Sequence, residues 1–275
     1  MRALYMPRLE GAMMGGDVSS ALLRKAAVDA VAVQGGEPAL RKDLSDRVLP
    51  VLGFPAPEGG ALPLDEDLRQ AALTVAIQDG GKPVLDAVFI VLKNSQDQDF
   101  RQDAVEAIGR TRDQALVEQV LRGANAEPLT GIESYDQLTA LLANPDAQQL
   151  AWAWLKRNYS AFAQRIPDSA KAEAPWMARW FCSGDMADDV ERFFQKSAGY
   201  RPNARVLAMS VESVRLCAAF KNARGAELRA ALIAATTPPD SAPAGQRPVS
   251  PAAPATRPAP RPAASKPSPE TAPAQ

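Results

Sequence analysis

The stretch that most constrains the fold is residues 144–159, NPDAQQLAWAWLKRNY, which carries a helix start, a helix stop and an apolar middle. Asn144 is placed to cap, Pro145 suits the first helical position with its fixed φ and missing N–H, and Asp146 puts negative charge at the positive end of the helix dipole. Lys156 and Arg157 stand at the opposite end, where cations are favoured. Ala147, Leu150, Ala151 and Trp154 share one face at helical spacing, while Trp152, Leu155 and Tyr159 share another. A helix that is apolar on two sides needs neighbours on both. That demand predicts an all-α fold of layered helices.

The same periodicity runs through the rest of the body. Residues 17–53 read as two helices, the first with Leu22, Leu23, Ala26, Ala27, Ala30 and Val31, the second with Leu40, Leu44, Val48, Leu49 and Leu52 before Gly53 and Pro55. Residues 55–63 form a connecting loop around Gly59 and Gly60. A helix over 65–77 turns at Asp79, Gly80 and Gly81, and Pro83 opens another that ends near Asn94. A third covers 99–108, and Asp113 caps a fourth that stops at Gly123. These two helix pairs follow one another at about 34 residues, a spacing typical of helical repeats. Further helices cover 134–143, an amphipathic stretch over 168–181, a segment capped by Ser183 or Asp185 and ended by Gly199, 206–220 with Leu216 and Cys217 buried, and 226–234 with Leu228, Ala231 and Leu232. No window alternates with β-branched residues as a strand would.

Composition sets the ends apart from this body. From Pro238 onward, 12 of 38 residues are proline and large apolar side chains are nearly absent, so residues 237–275 are expected to be a disordered Pro/Ala-rich tail. Residues 1–16 are expected to be a flexible N-terminus and 17–236 the helical array. Before Pro238 the chain holds 27 basic and 30 acidic residues, a balance that argues against nucleic acid and anionic membrane as partners. The longest apolar run, residues 87–92, is too short to span a bilayer, and the first residues lack a signal peptide's apolar run. The expectation is a cytoplasmic protein, or a periplasmic one if the chain is a fragment of an exported protein. On the same ground Cys182 and Cys217 are read as two buried thiols rather than a disulfide.

The chain contains no histidine. HExxH zinc sites, Ser-His-Asp triads and Cys-His dyads all need an imidazole, so those chemistries are closed to this sequence. Acidic groups such as Asp188 and Asp189, or Asp65, Glu66 and Asp67, sit at helix starts, where capping and the dipole explain them. Arg110 and Arg112, in GRTRD, lie at a turn where they could hold a carboxylate bidentately or only complement a dipole. Residues 125–130 carry no glycine-rich phosphate cradle, and no nucleotide-binding glycine motif occurs. The four tryptophans, Trp152, Trp154, Trp176 and Trp180, recur at helical spacing beside Ala and Leu, which favours core over ligand platform. No catalytic, cofactor or metal residue is assigned.

Several segments together resemble the C-terminal helical domain of gluzincin zinc aminopeptidases of the aminopeptidase N and endoplasmic-reticulum aminopeptidase type. They are LPLDEDLRQAALTVAIQDGGKPVLDAVFIVLKNSQDQDFRQDAVEAIGRTRDQALVEQVL, NPDAQQLAWAWLKRNYSAF, ARWFCSGDMADDVERFF and SVESVRLCAAF. Trp152, Lys156, Asn158 and Tyr159, the step from Phe181 to Ser183, and Val190, Phe193 and Phe194 match best. The resemblance implies a HEAT-like right-handed superhelical array of antiparallel helix pairs that closes over a catalytic domain and whose inner face can contact peptide. It also implies that the zinc, the GAMEN-like loop and HExxH lie in preceding domains, so this chain is expected to be non-catalytic and to carry no cofactor. Gln148 stands where the family suggests an arginine, and no substrate-binding residue is carried over.

The expected function is therefore that of a substrate-chamber lid domain with no activity of its own, stand-alone or truncated. Its expected partners are a separately encoded zinc aminopeptidase half or a peptide, together with self-association through exposed apolar surface. The alternative is a helical scaffold binding an unrelated protein or peptide.

Overall fold

The computed structural model describes residues 18–196 and 202–236. The expectations for residues 1–16, for Gly199 and for 237–275 lie outside the described residues. Two compact units divide the chain, the first ending at Gly225, and the described part of the second is residues 226–236.

The described residues are helical and contain no strand, in keeping with the all-α reading. The helices are α1 (Val18–Val28), α2 (Pro38–Val48), α3 (Glu66–Asn94), α4 (Gln98–Gly109), α5 (Gln114–Gly123), α6 (Gly131–Ala143), α7 (Gln148–Arg165), α8 (Asp168–Glu173), α9 (Gly184–Lys196) and α10 (Ala204–Thr236). A π-helical turn, Asp29–Gln34, extends α1, and 3-10 turns cover Leu49–Leu52 and Ala174–Trp180. Gly53 ends the second of these segments with φ 88°, a left-handed conformation that a side chain would resist.

The caps are largely those the sequence offers. Asp113 Oδ1 accepts from the Leu116 N–H at 3.0 Å, and Thr130 and Glu133 form a reciprocal capping box at the start of α6. The predicted turn at Gly81 appears as a kink inside α3, where Gly81 has φ 62° and ψ −143°. Only glycine adopts that region without strain, so the kink splits α3 into the two helical arms expected from the sequence.

Layers register at a nearly constant sequence distance. Arg69 Nε donates to Asp103 at 2.7 Å, Gln78 Nε2 to the Arg110 carbonyl at 3.0 Å, Arg101 Nε to Glu133 at 2.6 Å and Arg165 Nη2 to the Leu129 carbonyl at 2.6 Å, across separations of 34, 32, 32 and 36 residues. Each layer is thus pinned to the next about one helix pair along, the interval read from the sequence. Leu73, Ile77, Leu85, Leu92, Ile108, Leu138 and Leu141 are fully buried between layers. At Gly131 an added Cβ would lie 2.0 Å from the Arg165 carbonyl oxygen, so the approach of α6 to the end of α7 depends on a bare Cα.

Four local expectations are corrected. Asn144 is not the N-cap of α7, which is Ala147: it stands one turn earlier, where its Oδ1 accepts from the Asp146 N–H at 3.1 Å while its amide nitrogen donates to the Gly109 and Thr111 carbonyls at 3.3 and 2.7 Å. Lys156 and Arg157 do not end α7, which runs on to Arg165 because Phe162 adds another buried side chain, and Pro167 then forces Ile166 into extended backbone. The helices expected over 206–220 and 226–234 are one, α10, since Gly225 alone in an alanine-rich segment does not break a helix. Within it Leu207, Val211 and Val214 are buried as expected, whereas Leu216, Cys217, Leu228 and Leu232 are exposed.

The fourth correction concerns the cysteines. Cys182 and Cys217 form a disulfide, with Cα atoms 5.0 Å apart. Their separation of 35 residues falls within the layer-to-layer interval, which brings the segment before α9 against α10. Two thiols set that close, one of them exposed, are positioned to bond rather than to sit apart in a core.

Candidate functional site

A groove of about 710 Å³ lies in the first unit. The ends of successive helices supply much of its lining. Val33 and Gln34 come from the end of the π-helical turn, Gln78 from the arm before the Gly81 kink, Arg110 and Arg112 from the turn after α4, and Asn144 and Asp146 from the turn after α6. Helix C-termini leave carbonyls unpaired, and here side chains from the next layer satisfy them. Arg112 Nη2 donates to the Val33 carbonyl at 2.5 Å, and Arg41 Nη1 donates to the Ala32 carbonyl at 2.8 Å.

Arg110 and Arg112 therefore do more than complement their own helix. Arg110 Nη1 bonds Asp29, 81 residues away, while Arg112 sits 3.9 Å from Asp146 with its side chain 43% exposed. The two guanidinium groups tie the π-helical turn that follows α1 to the turn after α4 and present one partly accessible cation to the groove. Its walls are mixed in charge, with Lys25, Arg110 and Arg112 against Asp29, Glu106 and Asp146. Ala26, Ala71, Ala140 and Ala143 keep the walls low.

Trp180 also lines the groove and is 48% exposed. The core reading of the tryptophans holds for Trp152, which is buried with ring centroids of Phe181 and Phe193 at 5.6 and 5.2 Å. It does not hold for Trp180. Pro175 diverts the chain into a 3-10 turn, whose tighter pitch moves Trp180 off the buried face that α-helical spacing predicts. Arg179 stacks beside it, its guanidinium carbon 4.4 Å from the Trp180 ring centroid and 4.8 Å from that of Trp176. Burial draws the Arg179 guanidinium below its ordinary pKa, with nearby Tyr135 opposing the shift.

The acidic pairs have structural partners. Asp189 Oδ2 accepts from Trp152 Nε1 and Lys156 Nζ, both at 2.7 Å, and Asp188 pairs with Arg215 at 2.9 Å. Asp67 pairs with Arg24 at 2.6 Å. Glu66 lies in the first turn of α3 and Asp65 is its N-cap residue. Among the described residues no group of three or more Cys, Asp or Glu could hold a metal ion, and no helix is long and apolar enough to cross a membrane. Sequence reasoning missed Lys25, Gln78, Asn144 and Trp180 as neighbours, because they lie on separate layers and only the stacking register unites them.

Residues 1–216 match the family model described as ERAP1-like C-terminal domain. The chain belongs to that family. The match spans most of the helical body and agrees with the resemblance to aminopeptidases of the aminopeptidase N and endoplasmic-reticulum type, so this ERAP1-like domain is the C-terminal kind of domain found in those enzymes. It matches no curated protein sequence.

Proposed function

We propose that this ERAP1-like C-terminal domain lines the peptide chamber of a zinc aminopeptidase, meets peptide through the groove at Arg112, and contributes no catalytic group. The observation that carries this reading is the convergence of Arg110, Arg112, Gln78, Asn144 and Trp180 from separate layers on one hollow of about 710 Å³, in a chain without histidine. Peptide backbones favour such surfaces, where a few placed polar groups stand among small apolar ones. The catalytic half is either encoded separately or joined in a longer polypeptide.

The disulfide supports an oxidising compartment, as for an exported enzyme, over the cytoplasm. Exposed Met209, Leu216 and Phe220 on α10 support self-association when the catalytic half is missing.

The test pairs two assays on the purified chain. With added zinc it should release no amino acid from aminoacyl-naphthylamides, yet bind a fluorescent peptide in anisotropy titrations. Amino-acid release, or no binding at any peptide concentration, would overturn the proposal. A second reading, a scaffold for an unrelated protein, draws support from an apolar hollow of about 330 Å³ beside Phe89, Ile90 and Pro128. Affinity capture from source cells separates the two: a zinc peptidase among the partners supports the chamber, and a different stable partner with no peptidase supports the scaffold.

A further inference from the structure

We propose that Trp180 is the specificity-determining residue of the groove and that it stacks an aromatic side chain of the bound peptide. This rests on the groove being peptide-contacting, and goes beyond it by naming the side chain the groove selects. The indole of Trp180 is nearly half exposed, and a tethered side chain backs it. Arg179 lies 4.4 Å from its ring centroid, and Arg179 Nη1 donates to the Trp176 carbonyl at 2.8 Å, so the guanidinium backing the ring is tethered. A platform ordered before binding loses little entropy on binding.

The chemistry of the platform follows from that backing. A cation held against one face of an indole draws on its electron density, so a second cation gains less at the ring, while an offset or edge-on aromatic ring still stacks well. The walls agree. Ala26, Ala71, Ala140 and Ala143 stand where larger side chains would fill the groove, leaving depth for a ring, and Leu22, 67% exposed, adds apolar surface to the lining. The competing occupant is a lysine or arginine drawn to Asp146, whose side chain is 56% exposed.

The experiment uses the full chain and a labelled glycine-serine peptide carrying one central guest residue, read by fluorescence anisotropy. Phe and Tyr guests should bind about tenfold more tightly than an Ala guest, with Lys showing no such gain. Trp180→Ala should reduce the aromatic advantage to less than about twofold and Trp180→Phe should keep part of it, both variants retaining the parent helical circular dichroism. An aromatic preference unchanged in Trp180→Ala, a preference for Lys, or equal binding of all guests would overturn the assignment while leaving the groove reading intact. If no guest binds, the groove reading falls and this assignment falls with it.

Discussion

Trp152 Nε1 donates to Asp189 Oδ2 at 2.7 Å, joining a buried ring on α7 to a carboxylate on α9, 37 residues away. Lys156 Nζ, one turn further along α7, reaches the same oxygen at 2.7 Å and lies 5.5 Å from the Trp152 ring centroid. The acidic residue that a sequence reader assigns to a helix start thus fixes the seam between two layers.

Removing that carboxylate should loosen the seam. Asp189→Ala leaves a buried indole N–H without its acceptor and should cost about 1–3 kcal/mol in urea unfolding, while Asp189→Asn, which can still accept from the indole, should cost less. Equal, negligible effects for both would show that the bond contributes nothing.

Acid should act through the same residue and through Glu133. Burial pushes the Asp189 carboxyl up, but the Lys156 and Trp152 hydrogen bonds outweigh it and hold the group below its usual range. For Glu133, burial is likewise overcome by Arg101 and Thr130. A carboxyl with a depressed folded-state pKa stabilises fully above its unfolded value, about 4, and that stabilisation is lost as pH falls through the folded value. Thermal midpoints should therefore hold steady from neutrality to about pH 5 and drop below about pH 4, with a shallower acid limb in Asp189→Asn.

Arg101 and Glu133 are 9% and 8% exposed, and Arg101 Nη1 also donates to the Leu92 carbonyl at 2.5 Å. Arg101→Ala should cost about 3–5 kcal/mol, because it strands a buried carboxylate. Lys42→Ala, which breaks an exposed pair with Asp46, should stay within about 1 kcal/mol. A similar cost for the two variants, measured by the same unfolding curves, would contradict the buried role.

The helices themselves were legible because apolar spacing and caps are local. Asp113, the Gly81 turn and the end at Gly53 all stand where short-range rules put them. Partners across layers were not legible. Asn144 reads as a purely local group, yet its amide nitrogen also reaches the Gly109 and Thr111 carbonyls, and the two cysteines look unrelated until a 35-residue separation is set against the layer interval. Trp180 stands at α-helical spacing in the sequence, which implies core, whereas Pro175 makes the turn 3-10. The candidate groove was invisible for the same reason: its polar residues are spread over more than a hundred positions, and only stacking assembles them.

The disulfide should make the end of the first unit sensitive to reductant. Closing a 35-residue span restricts the unfolded chain by about 3–4 kcal/mol in the loop-entropy treatment. The double variant Cys182→Ser/Cys217→Ser should unfold at correspondingly lower urea, and the parent protein should show no free thiol under native, non-reducing conditions. Two titratable thiols in protein purified from an oxidising compartment would contradict the pairing.

The most direct test of the central claim is photo-crosslinking with a peptide that carries a benzophenone at its centre, followed by mass mapping of the labelled sites. Labels should fall on the groove-lining segments around residues 25–34, 70–78, 106–112 and 140–146, and should fade in Arg112→Glu. Labelling confined to other faces, or an unchanged pattern in that variant, would contradict a peptide-contacting groove.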